Sequence, residues 1–134
     1  DESGFNLTPT VETEYQAIKD QQKLADHVSW AMALLSPVRP LPDPKMVMAR
    51  ETELSIHHSG TNDCRIVAES ELTQIKTLLT CDPRLKKNLR PVSKCIQICK
   101  PTEYWQLMSI PNGTKPVRIP RSTNPMSQCS WWHW

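Results

Sequence analysis

Apolar residues in the first third of the chain recur at Val11, Tyr15, Ile18, Ala25, Val28, Met32 and Leu35. That spacing is close to 3.6 residues per turn and predicts an amphipathic helix over 11–35. Gln21 and Gln22 interrupt the stripe at its middle turn. Thr10 is the expected N-cap, and Glu12 and Glu14 suit the first turn, where the helix dipole favours negative charge. Ser36-Pro37 ends the pattern, because the residue before proline avoids the helical region. Residues 1–10 are polar and read as a flexible lead-in. Residues 36–45 hold Pro37, Pro40, Pro42 and Pro44, which predicts a stiff, extended connector. Pro37-Val-Arg-Pro40 also has the P-x-x-P form of a ligand for proline-reading domains; a spacer is the simpler reading.

Beyond the connector the period changes. Met46, Met48, Leu54 and Ile56 share one parity, with Arg50 and Thr52 between them, and predict one long strand or two short ones. Ser59–Asp63 reads as a turn and Cys64–Ala68 as a second strand closing a hairpin. Ser70 is placed as the N-cap of a helix through Leu72, Ile75, Leu78 and Leu79, stopped by Cys81-Asp82-Pro83. Val92–Cys99 and Glu103–Ile110 follow as a second strand pair, joined by Lys100-Pro101-Thr102. The fold expected is α+β. An N-terminal amphipathic helix (11–35) and a Pro-rich connector (36–45) lead into a disulfide-linked module (46–134). That module is a small antiparallel sheet with a second helix and a Trp-rich tail.

Composition adds compartment to this picture. The chain has 134 residues, a domain-sized length, with 38% hydrophobic residues, 12 prolines and 3 glycines. A net charge of +2 on balanced acids and bases makes no electrostatic case for nucleic acid. No apolar run reaches the ~18 residues of a membrane span. The first residue is Asp1, which suggests removal of a signal peptide, or a fragment. Five cysteines, Cys64, Cys81, Cys95, Cys99 and Cys129, are an odd set. In an oxidising compartment they predict two bridges and one thiol left for another chain, with Cys129 the first candidate and Cys64 the second. Two sequons, Asn6-Leu7-Thr8 and Asn112-Gly113-Thr114, point to the same compartment.

If Cys95–Cys99 is a strand, the two thiols share a face about 13 Å apart, beyond the ~7 Å a bridge allows, so each is expected to pair elsewhere. The C-x₃-C spacing resembles that of cystine-knot growth factors, with two departures. Gln97 stands where the knot ring usually carries glycine, and no second close cysteine pair completes it. A metal site is the competing reading: Cys95, Cys99, Cys129 and His133 form two pairs that zinc could take tetrahedrally. His57 and His58 are adjacent, so on a strand they would face opposite ways and form no common site. No nucleophile elbow, zincin helix or phosphate-binding glycine loop is present, so no enzyme activity and no cofactor are expected.

Partner binding is expected of Trp131, Trp132 and Trp134 in the tail, which either cover the core or dock on another protein, and of Val28, Met32 and Leu35 on the first helix. The tail also has a W-x-x-W form and Arg118–Arg121 a minimal R-x-x-R form. Arg84, Lys86, Lys87 and Arg90 are basic residues either solvated or facing an acidic partner. The function expected is a secreted or cell-surface glycoprotein module, viral envelope proteins included. It would bind a protein receptor or partner subunit, as a ligand or within a surface glycoprotein complex, and a disulfide-linked oligomer fits the odd cysteine. The alternative is an intracellular zinc-stabilised adaptor.

Overall fold

Proline opens most of the helices. In the computed structural model, which describes residues 4–114, Pro9, Pro44, Pro83 and Pro101 each occupy the first helical position. There the missing N–H costs nothing and the fixed φ is already helical. Asp43 and Asp82 stand before two of them as N-caps: the Asp43 carboxylate accepts from the Lys45 N–H, and that of Asp82 from the N–H groups of Arg84 and Leu85. The elements run β1 (Phe5–Leu7), α1 (Pro9–Gln16), α2 (Gln21–Leu34), β2 (Leu35–Pro37), α3 (Pro44–Ser55), α4 (Thr61–Leu72), β3 (Thr77–Leu79), α5 (Pro83–Leu89), β4 (Gln97–Cys99) and α6 (Pro101–Leu107).

The fold is mostly helical, and the expected antiparallel sheet is corrected. Among the described residues the strands form two short parallel pairs, β1 with β2 and β3 with β4. Parallel neighbours require a crossover, supplied by α1 and α2 in the first pair and by α5 in the second. The 46–56 segment is helix α3. Its inward residues are Val47 and Leu54, seven apart, with Arg50 and Glu51 half-buried between them. Of the alternating set Met46, Met48, Leu54 and Ile56, only Leu54 is buried and the other three are exposed, so the alternation mixed the two faces of the helix. The 64–68 segment lies in α4, whose residues from Ile66 to Ser70 are buried without a break, so the apolar run Ile66–Ala68 shows no helical period. Ile66 and Val67 favour strands by propensity, and burial overrides that preference. The helix expected after Ser70 has ended by Leu72, and Leu78 and Leu79 belong to β3. The strand expected from Glu103 is α6, with the Glu103 carboxylate accepting from the Lys100 N–H at 2.7 Å. The helix expected over 11–35 is broken at 17–20, and Asp20 caps the second piece by accepting from the Lys23 N–H.

The core gathers Val47 and Leu54 of α3, Cys64, Val67 and Ala68 of α4, Leu85 and Leu89 of α5, and Ile96 with Ile98. The N-terminal elements attach to its α4 side. Glu69 of α4, buried, accepts from the Thr10 N–H at 3.1 Å and from the Thr10 hydroxyl at 2.7 Å. Asn62 donates to Glu14. Arg50 holds the opposite side: its guanidinium binds both oxygens of Glu71, one oxygen of Glu53 and the Val92 carbonyl, so α3, α4 and the chain before β4 share one cation.

The disulfide framework is also corrected. Cys64, Cys81, Cys95 and Cys99 carry free thiols, and among the described residues no disulfide forms. Cys64 and Cys99 are core side chains, whereas Cys81 and Cys95 are exposed. Cys64, offered as second candidate for an interchain bond, is fully buried and donates to the His58 carbonyl, so it reaches another chain only if the core opens. Cys95 does not share a strand with Cys99: it sits before β4 with φ of 61°, a left-handed conformation that ends any extended run. Cys129, Trp131, Trp132, His133 and Trp134 lie outside the described residues.

Candidate protein-binding surface

Helix α2 is the least covered of the longer helices. It packs chiefly on α1 and β2 and buries only Ala31 fully. Two rows run along its outer side at i, i+4 spacing, Leu24–Val28–Met32 and Ala25–Ser29–Ala33. Such rows are the ridges and grooves by which helices pack, and here the small side chains leave a shallow, open channel beside the larger ones. All residues lining it, Gln21 included, belong to α2 itself. Met32 is 82% exposed, although one face of an amphipathic helix normally buries such a side chain. The charges of α2 collect at its first turns, where Asp20 caps and Asp26 accepts from the Gln22 amide. The channel beyond is lined by uncharged side chains.

Of the expected partner-binding residues, Val28 and Met32 lie together in this channel. Leu35 does not: it opens β2, opposite Phe5. The stripe reading missed Leu24 and Ala33; the Leu-x₃-Val-x₃-Met row was the available signal. The sequon asparagines Asn6 and Asn112 are both exposed, and Asn6 donates only to the Gly4 carbonyl. The Thr8 hydroxyl of the first sequon is buried, with no hydrogen-bond partner among the described residues.

Among the described residues, His58, Cys64 and Cys99 are buried. His58 lies in the α3–α4 connection, with Nε2 2.7 Å from Asp63 Oδ2 and Nδ1 3.2 Å from Asn88 Nδ2. An amide nitrogen only donates, so Nδ1 accepts and Nε2 donates to the carboxylate. Both ring nitrogens are occupied, the ring is buried, and it ties the turn to α5. His57 is exposed and makes only a backbone bond to Leu54. Burial pushes the Cys64 thiol above its ordinary pKa, with Asp63 and Glu51 adding to the effect; burial does the same to Cys99, with Glu103 adding. A raised thiol is a poor nucleophile and a poor metal ligand. Of the proposed zinc set, Cys95 is exposed and Cys99 buried, and no metal-sized group of three ligating side chains occurs among the described residues.

A second channel, of 390 Å³, is basic. Pro83, Lys86, Lys87, Arg90, Pro91 and Lys100 line it. Lys86 is ion-paired with Glu103, and the Glu103 carboxyl lies below its usual range, first because it accepts from the Lys100 N–H and then because of Lys86. Among the described residues no helix is long and apolar enough to cross a membrane. Comparison with protein families, curated proteins and solved structures returns no match to this chain.

Proposed function

We propose that this chain is a non-catalytic module that binds another protein, with an apolar helical segment of the partner lying along α2. The observation that carries the reading is the row of half-buried Leu24 and Val28 and exposed Met32 beside its small-residue groove. Helices pack by setting the i, i+4 rows of one between those of the other, and this face presents two such rows. The occupied His58 ring and the raised Cys64 and Cys99 thiols support a binding rather than a catalytic role. A secreted or cell-surface location belongs to the same proposal and rests on the exposed Asn6 and Asn112, since the free thiols withdraw the disulfide argument.

A photo-crosslinking side chain placed at Met32 tests the surface. In the source cells it should give one discrete adduct, identifiable by mass, that disappears in Val28→Asp and is absent with the crosslinker at Lys45. Met32→Asp should leave stability within about 0.5 kcal/mol of the parent, as an exposed position does. A drop of several degrees in Tm, matched by truncation after Thr114, would instead assign the face to residues 115–134 of the same chain. A glycosidase-sensitive mass shift, lost in Asn6→Gln or Asn112→Gln, tests the location.

A further inference from the structure

From the basic channel we infer a second binding site, which takes an acidic, extended stretch of a protein partner. The inference shares with the preceding proposal only the premise of a protein partner; α2 plays no part in it. Four cations, Lys86, Lys87, Arg90 and Lys100, line one channel that draws on α5, the residues just after it and the start of α6. Only Lys86 has a carboxylate partner, Glu103. The side chains of Lys87, Arg90 and Lys100 carry no ion pair among the described residues, in a chain whose net charge is only +2. Of the basic side chains elsewhere, Arg50, Arg65 and Lys94 are ion-paired, whereas Lys19, Lys23, Arg39, Lys45, Lys76 and Arg84 have no ion pair among the described residues. What distinguishes Lys87, Arg90 and Lys100 is that they line one channel together. Unmatched like charges repel one another, and a bound polyanion relieves that repulsion.

The form of the channel selects the anion. It is open rather than a closed pocket, and its cations are exposed or half-buried, so one small anion would meet each of them only through solvent. Several negative charges spread along a chain would engage Lys87, Arg90 and Lys100 together. Pro83 and Pro91 supply rigid apolar walls and have no N–H to cradle a phosphate. The aliphatic stems of the lysines and the arginine extend those walls, which suits a peptide backbone. None of the lining residues is aromatic, so bases of a nucleic acid would find nothing to stack on.

The test is fluorescence anisotropy of a labelled octaglutamate peptide with the full chain at low ionic strength. Lys87→Gln/Arg90→Gln/Lys100→Gln should weaken binding about 10–100-fold, the product of three exposed charge pairs. Lys19→Gln/Lys23→Gln/Lys45→Gln, with the same loss of charge, should change it less than about threefold, since those residues lie outside the channel. Circular dichroism and melting confirm that each variant folds, and the single Arg90→Glu serves if the triple variant does not. Absence of binding, or equal loss in both triple variants, overturns the site. Tripolyphosphate or a nucleic acid binding more tightly than the peptide overturns the assignment of its ligand. Val28→Asp leaves octaglutamate binding intact, so failure here and failure of the α2 proposal are read separately.

Discussion

The elements from Pro44 to Cys99 and those from Phe5 to Pro37 are held by different means. The former enclose Leu54, Cys64, Val67, Leu89 and Ile98, all essentially inaccessible to solvent, on the four elements α3, α4, α5 and β4. The latter, with Val38 just beyond, bury Leu7, Ala31 and Val38 together with Thr8 and Thr10, and are tied to α4 largely through polar contacts to Glu69 and Asn62. Burial of an aliphatic side chain contributes about 1.5–3 kcal/mol, whereas a hydrogen bond nets about 1. The N-terminal elements therefore open at a lower cost than the core. A partner surface on α2 belongs to that weaker region, as binding elements commonly do.

The sharpest way to break the contrast is to damage the core. Leu54→Ala removes a fully buried side chain between α3 and α4 and should cost about 2–5 kcal/mol by denaturant titration. The loss should appear in all elements at once. Exchange protection retained in α4 after that substitution would contradict a single core there.

Glu69→Ala attacks the junction instead. It leaves the Thr10 N–H and hydroxyl without their acceptor in a buried setting, at a cost of about 1–3 kcal/mol. Hydrogen exchange should accelerate in α1 and α2 while α3 to α5 keep their protection. Uniform acceleration would mean that the two regions open as one.

The smallest expected effect is a gain. Gln74 and Ser109 end α4 and α6 with φ of 60° and 58°. In each, the next N–H reaches back to close the helix, Ile75 to the Ser70 carbonyl at 3.0 Å and Ile110 to that of Trp105 at 3.1 Å. These are Schellman caps, whose left-handed position glycine fills without steric cost. Gln74→Gly should raise stability by about 0.5–1 kcal/mol, read as a higher Tm. Ser109→Gly, at the end of a helix with no buried residue, should affect global melting less.

These contrasts also separate what was legible in the sequence from what was not. The apolar row of Val28 and Met32 was visible because its helical spacing lies within α2 itself, although the row faces the open side of the helix. In α3 the same method failed: exposed Met46, Met48 and Ile56, together with buried Leu54, mimicked a strand, while the inward pair Val47 and Leu54 stood two helical turns apart. The disulfide framework failed for another reason. Cysteine spacing carries no information on burial, and free cysteine is among the residues most often found in cores, where Cys64 and Cys99 lie.

By itself the sequence determined the local punctuation. Asp43-Pro44 and Asp82-Pro83 start helices because a carboxylate caps the free N–H groups and proline needs no acceptor for an N–H it lacks. Reading those prolines as connector and stop overlooked a signal already present in two adjacent residues. Only the tertiary structure decided that Cys64–Ala68 is helix, that the strands pair in parallel and that Lys87, Arg90 and Lys100 converge on one channel. Each of these depends on residues distant along the chain. A short apolar run is equally satisfied as helix or strand until the surfaces that bury it are in place, and three cations form a site only when the backbone folds them together.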